Sequence, residues 1–304
     1  MTYMNYQGPM IDAHAHIMTI ETCVQKPHAI TVMERSNGYD NFCILSLEAM
    51  HKGQNDACFS LAQKDGCYVF AGIDHSGGNY ARQAQQLIQK GAAGFKMIEG
   101  KPTVYKKLQE SLNSDPLMEF YRYLEHHNIP LLLHAGDPPE FWSKESAPSW
   151  AVENGWTYDS QGFVSLEQIR DEVTCIADNF PKLKMVLAHF YFLAHDLEAV
   201  VKIFDTYPAI IFDICPGTEM FVHFSKRSDD WRRFFIDNAP RIIFGTDNYD
   251  GDYANKKEIN RMIHCFLQTP FYYKVWDMEL KGINLPQDVM EMIYHRNFLQ
   301  LIGR

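Results

Sequence analysis

His14 and His16 close the segment Ile-Asp-Ala-His-Ala-His, while His134, His189 and Asp247 each end an apolar run of their own. Imidazole and carboxylate are the side chains that hold borderline divalent ions at neutral pH. Two histidines spaced two apart on extended backbone point to one side and can share an ion. Lys96 sits in a further apolar run, Gly-Phe-Lys-Met, and His75 follows another in Gly-Ile-Asp-His-Ser-Gly-Gly. A lone histidine of this kind is ordinarily a satisfied core residue. Four histidines and an aspartate at the ends of four such runs point to a metal centre instead, provided the fold gathers those ends.

The rhythm of the chain supplies such a fold. Short apolar or β-branched runs alternate with amphipathic stretches, the pattern of βαβ units around a parallel sheet. Eight strands are predicted: Met10 to Ala15, Asn41 to Leu47, Tyr68 to Ile73, Ala93 to Ile98, Pro130 to His134, Lys184 to His189, Ala209 to Ile214 and Arg241 to Thr246. Several are apolar almost throughout, as strands covered on both faces must be. Asn79 to Lys90, Asp115 to His127, Ser165 to Asn179 and Leu193 to Tyr207 carry apolar residues at helical spacing. Asp115-Pro116 and a Ser165/Gln168 capping box mark helix starts, and Gly91 marks a helix end. The expectation is a (β/α)8 TIM barrel forming one domain over residues 1–304, and in such a barrel the C-terminal strand ends converge on one catalytic face. His75, just past strand three, lies on that face as a candidate substrate contact. His28, His126, His127, His195, His223, His264 and His295 lack this context and read as structural or exposed.

Two stretches break the rhythm. Gly136 to Gly162, after strand five, holds three prolines and the tryptophans Trp142, Trp150 and Trp156, and is far longer than a usual βα loop. It reads as a lid over the barrel mouth. Thr269 to Arg304 is read as further helix.

Composition narrows the partners. The 304 residues are 46% hydrophobic and 22% charged, with a formal charge of −10 and no dense basic run, which argues against nucleic acid as a partner. Met1 to Met10 shows no leader pattern and no window is apolar enough for a membrane span, so the expected location is the cytoplasm. Seven cysteines without a Cys-x-x-Cys pair read as reduced, mostly buried thiols, which leaves His and Asp to hold any metal.

Taken in order, Ile11-Asp-Ala-His-Ala-His16, Gly94-Phe-Lys-Met, Leu132-Leu-His-Ala-Gly136, Val186-Leu-Ala-His189, Phe244-Gly-Thr-Asp247 and Asn297-Phe-Leu-Gln-Leu-Ile-Gly303 resemble the amidohydrolase superfamily. Within it the set is similar to the group containing aminocarboxymuconate-semialdehyde decarboxylase. The resemblance implies one divalent ion, zinc in most of that group, held by His14, His16, His134 and Asp247. It makes His189 and Asp247 the catalytic acid–base groups acting with a water whose pKa the ion lowers to about 7. In other branches a lysine on strand four is carbamylated and bridges two metals, so Lys96 is either such a ligand or an ammonium that pairs with a substrate carboxylate. The implied activity is hydrolysis of a small carboxylated substrate, with non-oxidative decarboxylation as the alternative and a non-catalytic ligand-binding barrel behind both. Homo-oligomers are common among such barrels. A TatD-like nuclease also opens with His-x-His, but places Glu where this chain has Lys96.

Overall fold

A computed structural model describes residues 5–26, 28–160 and 162–304. Parallel strands run β1 (Ile11–His16), β2 (Asn41–Leu45), β3 (Tyr68–Ala71), β4 (Gly94–Gly100), β5 (Leu131–Ala135), β6 (Met185–Leu187), β7 (Ile210–Asp213), β8 (Ile242–Ile243) and β9 (Asn248–Tyr249). Each pairs with its sequence neighbour up to β8, and β9 pairs with β1. The last two are halves of one pass of chain. β8 lies on β7, β9 lies on β1, and between them Ala13 N donates to Phe244 O at 3.1 Å and Asp247 N to His14 O at 2.8 Å. Strand eight therefore closes the ring, giving the TIM barrel expected from the alternation of elements.

The strand interiors are nearly continuously apolar because both of their faces are covered. Leu132, Val186 and Ile243 fill the barrel, while Phe95, Leu131, Met185 and Phe212 pack outward against the helices. The helices begin where polar side chains can satisfy free backbone N–H groups. Asn79 accepts from Arg82 N and opens Tyr80–Gln89, Ser165 accepts from Gln168 N and opens Leu166–Asn179, and Asp196 accepts from Ala199 N and opens Leu197–Thr206. Ser165 makes only half of the predicted capping box, since the Gln168 amide turns to Glu172 and Tyr105.

Three departures from the sequence reading affect the site. β4 runs on to Gly100, two residues past the predicted Ile98, so Glu99 stands near its end while Lys96 lies inside the strand as predicted. β6 stops at Leu187, and Ala188–Phe192 forms a tight turn in which His189, Phe190, Tyr191 and Phe192 all have φ between +53° and +56°. This pushes the following helix start to Leu197, four residues past the predicted Leu193. The stretch from Thr269, predicted as helix, first forms a hairpin of β10 (Tyr272–Val275) and β11 (Met278–Lys281). Its Tyr and Val residues favour strand, and its Trp276-Asp277 turn lacks the Gly or Asn that signals a hairpin. Helical segments follow only from Gln287.

The 136–162 segment carries a 3-10 turn at Pro139–Trp142, a short helix at Ser149–Glu153 and a small apolar cluster of Phe141, Ala151 and Tyr158. Six cysteines are free thiols, five of them buried and Cys175 partly exposed; the Cys23 side chain lies outside the described residues. No helix among the described residues is long and apolar enough to cross a membrane.

Candidate metal centre

Strand β1 delivers both histidines. Residues 14 and 16 share its inner face, and their Nε2 atoms stand 3.1 Å apart. Strand eight brings Asp247 against them, with Oδ1 at 3.4 Å from His16 Nε2 and 3.8 Å from His14 Nε2. Ligands held at 2.0–2.1 Å around a tetrahedral ion lie about 3.3 Å from one another. The three donors therefore span the space of one small divalent cation.

The groups behind them support that use. His14 Nδ1 lies 2.8 Å from Asp213 Oδ2 and His16 Nδ1 lies 2.9 Å from the carbonyl of Leu45, which directs both Nε2 lone pairs inward. Burial, with Lys96 and His16 adding to it, holds the His14 imidazole well below its ordinary pKa, and burial takes His16 down to about 4 against the pull of Asp247. Both rings are thus neutral and able to ligate. Burial opposes ionisation of Asp247, yet Lys256 and the surrounding histidines hold its carboxyl below the usual range. Two neutral imidazoles and one carboxylate fit a divalent ion.

Close backbone approach makes the arrangement possible. A Cβ on Gly245 would stand 2.8 Å from His14 Cβ, and one on Gly100 would stand 2.3 Å from the carbonyl oxygen of His134. Glycine at these two positions lets strand eight pass His14 and β4 pass β5. Asp247 itself has φ +56°, a left-handed conformation that aspartate tolerates better than most residues.

His189 faces this centre without belonging to the trio. Its ring lies 5.4 Å from that of His14 and 5.0 Å from that of His134, and Phe192 stacks on it at 5.2 Å. Burial and the neighbouring His134 lower its pKa to about 4, so it is neutral at pH 7. Its ring nitrogens have no hydrogen-bond partner among the described residues. The left-handed turn that carries it costs roughly 1–2 kcal/mol per residue. Asp213 Oδ1 accepts from His189 N at 2.7 Å and from Cys215 N at 3.2 Å, which helps to offset that cost.

His134 lies beside His189, but its Nε2 is 3.2 Å from Asp137 Oδ1 and the ring is not part of the trio. Asp137 also pairs with Lys101 at 2.8 Å and accepts from the Tyr158 hydroxyl, tying the 136–162 segment to the strand ends. Lys96 is 2% exposed, and no carboxylate among the described residues lies within 4.0 Å of its ammonium. Burial lowers its pKa, with Asp213, Cys215, Asp247 and Glu99 working the other way. His75 is fully engaged: Nε2 is 2.8 Å from Glu99 and Nδ1 is 2.8 Å from Glu110, so a substrate could reach it only by displacing a carboxylate.

Sequence reading missed Asp213, Asp12 and Thr246. Asp12 is fully buried, accepts from the backbone of His14 and Thr246 and bonds the Thr246 hydroxyl, pinning β1 to strand eight. The signal for Asp213 was an acid at the end of an apolar strand, the same signal that identified Asp247.

A closed parallel barrel with histidines on strand one and an aspartate on strand eight defines a class of metal-dependent enzymes. The family model described as amidohydrolase matches residues 11–304, and the chain belongs to that family, which is one of enzymes. A comparison with curated proteins finds no sequence match. Similar solved structures include a zinc-bound amidohydrolase from Burkholderia multivorans (10% identity, 97% of this chain and 99% of that one, TM-score 0.60). Another is a dihydroxybenzoic acid decarboxylase from Polaromonas sp. JS666 with bound manganese (12% identity, 97% of each chain, TM-score 0.59). A third is a probable 2-pyrone-4,6-dicarboxylic acid hydrolase from Acinetobacter baumannii (12% identity, 98% of this chain and 100% of that one, TM-score 0.57). At these identities the likeness is one of fold.

Proposed function

We propose that this chain is a metal-dependent hydrolase of a small carboxylated substrate, using one divalent ion, zinc by preference. The observation that carries this reading is the convergence of His14, His16 and Asp247 within 3.8 Å of one another. These three residues hold the ion, and His134 is the fourth donor once Asp137 releases its Nε2. When bound, the ion supplies Lewis acidity toward water and a substrate carbonyl. Asp247, whose side chain is 37% exposed, takes the proton of the attacking water on a carboxylate oxygen. His189, neutral and unpartnered, hydrogen-bonds the developing oxyanion from a ring N–H, a contact that strengthens as charge builds. The proton held on Asp247 passes to the leaving group.

Lys96 supports the carboxylated class. An isolated buried ammonium is costly, and a substrate carboxylate would supply the partner it lacks. The long segment after β5, fastened through Tyr158 and Asp137, shields the pocket from bulk water. Turnover of a panel of lactones, amides and esters bearing a carboxylate tests the reading: hydrolysis is expected, with loss on changing Asp247 to Asn.

Decarboxylation is the second reading, favoured by the aromatic wall of Phe192, which stacks on His189 and meets His134 edge-on. A planar unsaturated acid fits such a wall. His189 would then relay a proton from solvent to the carbon from which CO2 departs. Release of CO2 from aromatic or unsaturated acids, with no hydrolysis of the ester panel, selects this alternative.

A further inference from the structure

His14 belongs to a second set of donors. A ring nitrogen of His14, a ring nitrogen of His189 and Cys215 Sγ lie within 4.8 Å of one another. The three come from the ends of β1, β6 and β7, so the barrel holds them in place as it holds the first trio. Cys215 is fully buried and no hydrogen bond to its sulfur is found among the described residues. His189 is 8% exposed, and its ring nitrogens are likewise unpartnered. A buried sulfur without a partner is uncommon in folded proteins, and here it faces ring nitrogens of His14 and His189.

We propose that His14, His189 and Cys215 form a second cation station, selective for soft, thiophilic divalent ions. The first station offers two nitrogens and an oxygen; the second offers two nitrogens and a sulfur, a set that suits zinc or cadmium better than manganese or magnesium. Because Asp213 occupies Nδ1 of His14, one nitrogen of that ring serves both stations, and an ion takes one or the other. Binding at the sulfur station expels the thiol proton to solvent and forms a thiolate–metal bond. It also takes His189 away from the substrate, so an ion held there is inhibitory. This part of the inference rests on the proposed role of His189; the existence of the station does not.

The test is titration of metal-free protein with Cd2+, reading the ultraviolet thiolate-to-cadmium charge-transfer absorption alongside bound cadmium by elemental analysis. The wild type is expected to develop the band with the first equivalent. Cys215→Ser should lose the band while still binding Cd2+ at His14, His16 and Asp247. His16→Ala, with a native circular dichroism spectrum, should keep the band. Stoichiometric Cd2+ without the band, or a band that survives Cys215→Ser, overturns the sulfur station while leaving the first trio intact. A band lost in folded His16→Ala overturns the claim of a separate station, and failure of wild type to bind any Cd2+ overturns it together with the proposed metal centre.

Discussion

Asp213 Oδ2 lies 2.8 Å from His14 Nδ1 while its other oxygen, Oδ1, accepts the backbone N–H of His189 at 2.7 Å, so one fully buried carboxylate fixes both His14 and His189, the proposed metal donor and oxyanion partner. Burial raises its pKa to about 6, opposed by His189 and Lys96. Asp213→Asn keeps the shape but removes the anion that orients His14. Metal affinity, measured by competition with a chelating dye, should fall by about 10–100-fold with the barrel still folded. Unchanged affinity would show that His14 is oriented without it.

A second expectation concerns pH and stability. Burial disfavours the His75 imidazolium, but Glu99 and Glu110 outweigh it and raise the pKa above its ordinary 6.5. A group whose folded pKa is raised contributes stability that is fully present below its unfolded pKa and is lost as pH rises through the folded value. The urea midpoint of the wild type should therefore decline as pH rises above 6.5. His75→Gln should flatten that slope and, by leaving two facing carboxylates without a cation, cost roughly 3 kcal/mol at the acid end. A slope retained in the variant would assign it to other groups.

Lys96 separates one-ion from two-ion chemistry. It is buried inside β4, and His14, His16 and Asp247 converge around one ion-sized space. The intact mass of the native protein should show an unmodified lysine, and bicarbonate should leave the metal stoichiometry unchanged. A carbamate on Lys96 with two ions bound would replace the single-ion account.

The lid reading of residues 136–162 rests on Asp137, which receives Lys101 at 2.8 Å and the Tyr158 hydroxyl, with the Lys101 ammonium 4.3 Å above the Trp156 ring. Tyr158→Phe removes one tether and should raise the rate of limited proteolysis within this segment by several-fold while global stability falls by only about 1 kcal/mol. An unchanged cleavage pattern would argue that apolar packing around Phe141 alone holds the segment.

Much of this architecture is legible in the sequence because a barrel strand covered on both faces must be apolar, and a polar residue at its end stands out against that background. His14, His16 and Asp247 were found in this way, and the structure brings them together. Lys96 was correctly placed inside its strand, but the strand end was predicted two residues early because Glu99 and Gly100 read as loop, whereas β4 continues through them with an irregular register against β5. The left-handed turn at His189 is invisible to propensity, since none of its four residues is glycine; it exists because Asp213 and the packing around Phe190 hold it. His134 could be placed on β5 but not aimed, because the direction of a ring depends on partners such as Asp137 that only the folded chain assembles. The β10–β11 hairpin was hidden by a turn of unusual composition.

The central claim, that His14, His16 and Asp247 hold a divalent ion, is tested most directly by elemental analysis of purified Cys215→Ser protein, in which the sulfur station is removed, beside the same protein carrying His16→Ala or Asp247→Ala, each retaining the native circular dichroism spectrum. The account predicts about one equivalent of ion per chain in Cys215→Ser, as a single donor set requires, and near-complete loss once His16 or Asp247 is also changed to Ala. Less than about half an equivalent in protein never exposed to chelator, or full occupancy in both variants, would contradict it.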